Sequence, residues 1–589
     1  MAKKQVVEEV TLESKDPAVP RPRLTKLIIK NFRCIGSTPV EIELNDIVVL
    51  VGGNNVGKST ILKAYELAMS QGSDKGKLRI DDFPNSFIDP SNLPEIEIQT
   101  IVYDNSPGEK WIATTEFGER LVREKFTWSE VNAKSKRQGW DVEVGAWSEQ
   151  VPWGAPNVAN SKRPEPHRVD AFDDPTKQAE EIKTLLKKVL EDKVRQHKGF
   201  EDEESQYRKL IKQVETLQKA IFDEAQVEIT KINDELSSLI SKVFPNYKVD
   251  FDPKSEEGLD KSIALFKGDA QLLMGPEDGY MSSIERQGSG ARRTLLWSAL
   301  KYISEMNEKR NDDGTPVRPH VLLLDEPEIC LHPNAIREAC NVLYNLPNNK
   351  HWQVMVTTHS PIFIDFSKDN TTIVKVERRT GDGAIIGTTV FRPDRLKLSD
   401  DDKLNLKLLN ICDPYIAEFF FGGKTIIVEG DTEYTAFKYI IQRKPEAYKD
   451  IHIIRARGKA TIVSLMKILN QFGSDYAILH DADSPFSING NANPAWKINE
   501  NILNELSLKP EGIKVRLLSS ITNFELAYFD EAAKGEKPYN ALRQLAENDA
   551  FFNTVEQLLL CLIKHDEVTP KNCLEWTTIK ELEEACTAI

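Results

Sequence analysis

The sequence predicts an α/β protein built of two sheet-centred units in series, the first interrupted by a long helical insertion. Three observations carry this. An apolar strand, Ile47 to Val51, runs into a glycine-rich loop and then a helical pattern from Ser59, the order in which a parallel α/β sheet opens. A second apolar strand, Val321 to Leu324, ends in paired carboxylates. A third alternation of strands and helices starts afresh at Lys424, behind a charged stretch from Leu396 to Lys407. At 589 residues, 40% hydrophobic and 29% charged, the chain is too long for one core and has the composition of a soluble globular protein.

In chain order, residues 1–20 are polar and end in prolines, which predicts a flexible tail. Leu24 to Ile29 and Val40 to Leu44 read as strands ahead of Ile47 to Val51. From Pro94 to Val151 apolar and polar residues alternate (EIEIQTIVYD, KWIATTEF, WDVEVGAW), as in antiparallel strands. The proline-rich stretch Val151 to Pro175 reads as a connecting segment. Residues 176–243 lack proline and place apolar residues three and four apart, at Ile182, Leu185 and Val189, then Leu210, Val214, Leu217 and Ile221. That spacing predicts two long helices broken near Gly199 to Glu204, either packed on their own domain or forming a dimerisation arm. Strand and helix alternation resumes after Phe244 and runs to about Phe391. The expected organisation is therefore a tail (1–20), a first unit in two parts (21–175 and 244–395) around the insertion (176–243), a linker (396–423) and a second unit (424–589).

Composition excludes some classes. The apolar runs are of strand length, so none would span a membrane. The opening MAKKQVVEEV is charged where a secretory leader needs an apolar run, which predicts no export and a cytoplasmic protein. Seven cysteines without a CxxC pair argue against zinc ribbons and a disulfide framework. A net charge of -15 bears on solubility more than on partners, because a phosphate-binding surface needs only local lysine and arginine.

Gly52 to Ser59 spell GxxxxGKS between a strand and a helix, the setting in which the motif holds phosphate. Backbone amides from Asn54, Asn55 and Gly57 through Thr60 would cradle the phosphates of ATP. Lys58 would reach the β and γ phosphates, and the Ser59 hydroxyl would ligate Mg2+. Asp325 would complete the magnesium shell, and Glu326 would orient or deprotonate the attacking water. The strand Val354 to Val356 leads to Thr358, His359 and Ser360, where His359 is placed to contact the γ-phosphate.

On these motifs the first unit resembles the ABC-type ATPases of the SMC and RecF group, as do its opening LTKLIIKNFRCIG and the Asn54–Asn55 pair. The resemblance implies a signature motif, whose nearest match is Arg286 to Arg293, RQGSGARR, a departure from LSGGQ. Ser289 and Gly290 would then contact ATP across a homodimer interface. Gln99 is a Q-loop candidate by position only.

In the second unit, strand Lys424 to Val428 ends in Glu429, with Glu433 in the first turn of the helix that follows. Strand Tyr476 to Leu479 runs into Asp481 and Asp483, and an extended D-x-D turns both acids to one face. Carboxylates gathered at one sheet edge repel one another unless cations lie between them, and oxygen ligands select Mg2+ or Mn2+. The ordered pair E-G-x-x-E then D-x-D is similar to the Toprim pattern, which performs metal-dependent phosphodiester chemistry.

An ABC-type head followed by a Toprim domain resembles the overcoming-lysogenisation-defect (OLD) nuclease family across essentially the whole chain. The resemblance implies an ATP-hydrolysing, metal-dependent endonuclease or exonuclease acting on DNA, with Glu429, Asp481 and Asp483 at the cut. It adds Glu525, in ITNFELAYF, as a further metal-site acid. It also adds a basic residue nearby, Lys537 in GEKPYN, with Lys534 as competitor. Arg455, Arg457 and Lys459 either grip backbone phosphates or form a solvated loop. It further implies a phage-defence role, a homodimer or higher homo-oligomer, and as partners a helicase or a retron reverse transcriptase with its RNA–DNA product. The alternatives are a topoisomerase, which needs a tyrosine-bearing module, a primase, which brings clustered zinc ligands that the sequence lacks, and a DNA-binding clamp or sensor that does not cleave.

Overall fold

The computed structural model describes residues 22–103, 107–170, 176, 179–180, 182–184, 186–187, 226–252, 271–308, 319–348, 352–365, 368, 370–378, 385–391, 398–486, 490–491, 493–529, 535–564 and 567–587. The expected N-terminal tail, most of the helical insertion with its break near Gly199, and Lys534 lie outside these residues.

Three sheets and their helices make up most of the structure. β1 (Arg23–Lys30), β2 (Val40–Glu43), β4 (Glu95–Val102), β5 (Ala113–Thr114), β6 (Arg120–Thr127), β7 (Lys136–Asp141) and β8 (Ala146–Ser148) form an antiparallel sheet in the order β2-β1-β4-β6-β7-β8, with β5 on β6. Its apolar face, including Leu27, Ile29, Ile98 and Phe126, packs with Ile61, Leu62 and Tyr65 of helix α1 (Lys58–Met69).

The second sheet contains β3 (Ile47–Val51), β9 (Glu165–Val169), β13 (His320–Asp325), β14 (Trp352–Thr357), β15 (Thr371–Arg378) and β16 (Ile385–Phe391), in the order β16-β15-β3-β14-β13-β9. All neighbours are parallel except β15 and β16. Both faces are covered: Ile47, Val49 and Val51 of β3 enter one apolar cluster, while Val48 and Leu50 enter the other. A strand buried on both sides reads as an unbroken apolar run, as IVVLV does.

The segment 151–175, read as a connector, contains helix α2 (Pro156–Lys162) and β9. The prolines misled because β9 is the edge strand, where Pro166 need not donate to a further neighbour. A small antiparallel sheet, β10 (Tyr247–Asp252), β11 (Gln271–Pro276) and β12 (Ser282–Ser283), precedes helices α3 (Ser289–Glu308) and α4 (Pro333–Asn345). Within the expected insertion, residues 226–241 are helical.

Helix α5 (Asp400–Cys412), capped by the reciprocal Ser399–Asp402 pair, and a 3-10 segment, Pro414–Phe421, lead into the third sheet. There β17 (Lys424–Val428), β18 (Ile451–Arg455), β19 (Tyr476–Asp481) and β20 (Val515–Ser520) run parallel, with β21 (Cys573–Glu575) antiparallel at the edge, in the order β18-β17-β19-β20-β21. Helices α6 (Asp431–Arg443), α7 (Lys459–Phe472), α8 (Pro494–Ser507), α9 (Phe524–Phe529), α10 (Lys537–Glu547), α11 (Asp549–Ile563) and α12 (Ile579–Thr587) accompany it. One apolar cluster is continuous from Leu322 and Val354 through Ile416, Phe419 and Phe420 to Ile427, Ile462 and Leu465. The second and third sheets thus share a core rather than hanging on a loose tether. Among the described residues no helix is long and apolar enough to cross a membrane.

Candidate functional site

The strand order explains the nucleotide site. β14 lies between β3 and β13, so the second residue past its end at Thr357 is held between the glycine loop and the paired acids. That residue is His359, and its Nε2 is 2.8 Å from Lys58 Nζ and 3.3 Å from Glu326 Oε1. Lys58 Nζ also donates to the Gly52 and Gly53 carbonyls at 3.1 and 2.8 Å. Ser59 Oγ donates to Asp325 Oδ1 at 2.8 Å, as does Thr357 Oγ1 at 2.6 Å. The Thr60 amide donates to the Gly57 carbonyl at 3.0 Å, opening α1. Burial pushes the Lys58 ammonium below its ordinary range, opposed by Glu326, Asp325 and Glu328. Burial, then Lys58, pushes the His359 imidazolium down as well.

The loop's shape is held by residues suited to it. Gly52 has φ of 142°, and a Cβ there would lie 2.3 Å from the Val376 carbonyl oxygen. Asn55 has φ of 63°, a conformation asparagine tolerates. Glu326 has φ of 45° and Asp483 φ of 62°, so two candidate catalytic acids carry left-handed backbone, as strained residues at functional sites often do.

At the third sheet, Glu429 follows β17, Asp481 ends β19, and Glu433 and Glu525 sit in the first turns of α6 and α9. Glu429 Oε2 accepts from the Asp481 amide at 3.1 Å, and Asp481 Oδ1 accepts from the Phe524 amide at 2.8 Å. Glu433 Oε2 accepts from the Gly430 amide at 3.2 Å. Glu525 accepts from Thr432 Oγ1 at 3.1 Å and pairs with Lys537 at 3.3 Å. Lys459, buried at the start of α7, pairs with Asp483.

The electrostatics are those of excess negative charge. Burial, and then Glu433, Glu429, Glu525 and Asp483, push the Asp481 carboxyl far above the carboxylate range. Glu433 is pushed up to about 7, first by burial and then by Glu429 and Glu525. Glu429 is raised by burial. Among the described residues, no three of these carboxylates bring ligand oxygens within 4.8 Å of one another; each spends an oxygen on a local donor. Buried acids held against their own ionisation fit a cation, which would restore the charged form.

The AAA ATPase domain family matches residues 23–137 and 169–364, more than half of the chain, and residues 420–483 match the overcoming lysogenization defect protein-like TOPRIM domain. The chain belongs to the AAA ATPase family and carries an OLD-like TOPRIM domain. Similar curated proteins are Old nuclease of Escherichia phage P2, 25% identical over 484 residues (78% of this chain, 77% of that protein), and OLD nuclease of Thermus scotoductus, 23% identical over 495 residues (83% and 85%). Among solved structures, the Smc head bound to the C-winged helix domain of ScpA aligns at 17% identity and TM-score 0.41, covering 64% of this chain and 99% of that one. The SMC head domain from Thermotoga maritima aligns at 14% identity and TM-score 0.30, covering 62% and 99%.

The AAA match spans Gly52 to His359, and the TOPRIM match ends at Asp483, so Glu525 and Lys537 lie beyond it. Of the signature candidates, Gly290 meets Cys330, whose carbonyl oxygen would lie 2.6 Å from an added Cβ. Arg293 of the same helix donates to the Glu326 carbonyl at 2.8 Å. Gln99 sits within β4 and donates to Glu97 at 2.8 Å, a strand residue in its own sheet. Arg455 pairs with Asp431 at 2.6 Å and lies over the Tyr434 ring, whereas Lys459 pairs with Asp483, one of the candidate metal-site acids.

Two participants escaped the sequence reading. Glu328 Oε1 accepts from the His359 amide at 2.6 Å, the Ser360 amide at 3.1 Å and Thr358 Oγ1 at 2.9 Å, pinning the loop that carries His359. Phe421 stacks on His359 with centroids 6.2 Å apart, and only Gly422 and Gly423 separate it from β17. The first sits one residue past the proline of DEP, and nothing local marks it. The second lies in an expected linker.

Proposed function

We propose that this ATPase is an ATP-gated nuclease that hydrolyses DNA phosphodiester bonds with Mg2+ or Mn2+ at the TOPRIM carboxylates. The observation that carries the reading is the buried set Glu429, Glu433 and Asp481, raised by burial first and then by neighbouring carboxylates that include Asp483 and Glu525. A fold does not place unpaired acids in its interior without a use for their charge. The two relatives named as OLD nucleases support hydrolysis of nucleic acid as that use.

Glu429, Glu433, Asp481, Asp483 and Glu525 would hold the cations, which when bound activate water and stabilise the leaving oxygen. The chain's own residues supply the rest. Backbone amides at Asp481 and Phe524 fix the Glu429 and Asp481 carboxylates, and Lys459 holds Asp483. Lys537, half-exposed beside Glu525, would meet phosphate charge.

At the other site, Lys58, Ser59, Thr60 and the loop from Asn54 to Gly57 would bind ATP, with Asp325 on its magnesium and Glu326 and His359 at the γ-phosphate. ATP gates rather than powers the cut, because the sites lie at the ends of different sheets. The link between them is Phe421, which touches His359 and leads through β17 to Glu429. Ser289 and Gly290 would contact ATP in a second copy, making the active form a homodimer. Of the insertion 176–243, Ala179, Ile182, Leu186, Ile229, Ile232, Leu236 and Ile240 pack in the chain's own core, which favours helices packed on their own domain over a dimerisation arm. The OLD resemblance supports a role in phage defence. A helicase or a retron reverse transcriptase with its RNA–DNA product would suit that role as partner.

The test uses supercoiled plasmid with ATP and Mg2+ or Mn2+. The full chain nicks or linearises the plasmid; Asp481→Ala does not, while it still hydrolyses ATP. Intact plasmid with the full chain under both metals, with and without ATP, refutes the reading.

A further inference from the structure

At the opposite end of the nucleotide-binding sheet, three side chains of metal-ligating type converge. In the parallel pair β9 and β13, His320 stands opposite Glu165, and Leu322 opposite His167. A period of two turns Glu165 and His167 to the same face of β9, and His320 reaches them from the neighbouring strand. His167 Nε2 lies 3.0 Å from His320 Nδ1, and Glu165 Oε2 lies 4.0 Å from that same nitrogen. Among the described residues this is the one set of three whose ligand atoms all fall within 4.8 Å of one another.

The surroundings hold the rings in place. Trp352, opposite His320 in β14 and 2% exposed, stacks on His320 with centroids 4.7 Å apart and packs against His167 at 5.5 Å. The three ligands are only part-buried, so an ion has a way in and room for a water as a further ligand. A hydrogen bond between the imidazoles explains their contact. Strand register brings the Glu165 carboxylate beside the same nitrogen.

We propose that Glu165, His167 and His320 form a second metal site, for Zn2+ or a similar borderline transition ion, that staples the edge strand β9 to β13. Zinc takes nitrogen and carboxylate oxygen at about 2.0–2.2 Å, which puts tetrahedral ligand atoms roughly 3.4 Å apart. The observed separations of 3.0 and 4.0 Å bracket that value and the third pair lies within 4.8 Å, so side-chain shifts on the order of an ångström seat the ion. Binding requires lone pairs on His167 Nε2 and His320 Nδ1; the ring that carries the shared proton moves it to its other nitrogen, and the net charge of the pair is unchanged. Two imidazoles and one carboxylate discriminate against Mg2+, which prefers oxygen throughout. The TOPRIM acids have the reverse preference, so the chain would sort two kinds of cation.

The staple is structural. Along β13 the site lies about 16 Å from Asp325 at the strand's rise, too far to take part in ATP chemistry. What it fixes is the register of β9, whose Arg168 bonds Glu66 of α1 and whose next residue, Asp170, accepts from Arg293 through its carbonyl. The ligands are invisible as a motif because His320 comes from a strand 153 positions after His167.

Co2+ serves as the probe, in full-length, metal-stripped protein carrying Asp481→Ala and Asp483→Ala to disable the oxygen-ligand centre. We expect one Co2+ per chain with the intense visible absorption of a nitrogen-ligated, low-coordinate ion, displaced by one equivalent of Zn2+ and unaffected by excess Mg2+. Adding His167→Ala or His320→Ala abolishes that absorption, and Glu165→Gln weakens binding, while ATP turnover without added Zn2+ stays at the parent rate and reports an intact fold. The proposal is overturned if the chain with all three ligands shows only weak, oxygen-type Co2+ absorption. It is equally overturned if the histidine variants bind Co2+ with an unchanged spectrum.

Discussion

The most demanding consequence of the nucleotide site concerns Glu328, which touches no part of the phosphate loop yet holds His359 in place. Its Oε1 alone accepts from two backbone amides and one hydroxyl, at 2.6, 3.1 and 2.9 Å. Glu328→Ala removes all three acceptor contacts at once. At about 1 kcal/mol net for each bond, the pinned loop loses about 3 kcal/mol relative to open arrangements. Since about 1.4 kcal/mol is tenfold, the fraction of molecules with His359 against Lys58 falls by roughly a hundredfold at most. Water reaching the half-exposed His359 and Ser360 recovers part of this, so kcat for ATP should fall between about tenfold and a hundredfold. KM should move little, because Lys58 and Ser59 keep their own contacts. Glu328→Gln separates geometry from charge. Its carbonyl oxygen can accept the same three bonds, and it removes a carboxylate whose ionisation burial already disfavours; turnover should stay within about fivefold of the parent. Steady-state ATPase kinetics, with melting curves on the same samples, decide the matter. Glu328→Ala turning over ATP at the parent rate with an unchanged melting midpoint would show that His359 does not depend on this anchor.

Four shorter predictions follow from other contacts. Gly52→Ala should abolish binding of a fluorescent ATP analogue, because its Cβ would stand 2.3 Å from a backbone oxygen at a φ of 142°; measurable binding refutes it. Phe421→Ala should leave ATP turnover near the parent rate but bring the ratio of DNA cleavage with and without ATP to one; an unchanged ratio places the gate elsewhere. His480, buried against Ser519 and pushed down to about 3 by burial and then by Lys459, takes up a proton more readily when unfolded. Its stabilising share is therefore complete above about pH 6.5 and lost as pH falls toward 3, by about 2 kcal/mol at pH 5; chemical denaturation should show the stability gap between the parent and His480→Gln narrowing by that amount from pH 7.5 to 5, and a constant gap refutes the assignment. Glu433, held up to about 7, and Asp481, held far above the carboxylate range, must both lose their protons before a cation binds, so the Mg2+ needed for half-maximal cleavage should rise by at least about tenfold per unit as pH falls below about 7.

What the sequence disclosed and what it hid divide along a physical line. The candidate residues Gly52 to Ser59, Glu429 to Glu433 and Asp481 to Asp483 were legible as strand-end motifs because each is a local event: an apolar strand stops, the chain turns, and the side chain is set by the turn itself. β9 was not, since prolines that look like a linker are admissible on a sheet edge, and being an edge is a property of the whole sheet. Lys459 was left between a phosphate grip and a solvated loop, because its pairing with Asp483 depends on β17 lying between β18 and β19. Glu328 reads as one more acid after DEP, and its partners lie across the gap between β13 and β14. The Glu165, His167 and His320 set needs the same knowledge of neighbours, on the other side of β13. Strand order, not strand existence, is the missing quantity: it rests on which apolar faces bury together over long separations, and no short window records that. Candidate groups at the end of their own strand are therefore found by reading along the chain. Groups that hold such residues in position act across strands, and these the structure had to supply.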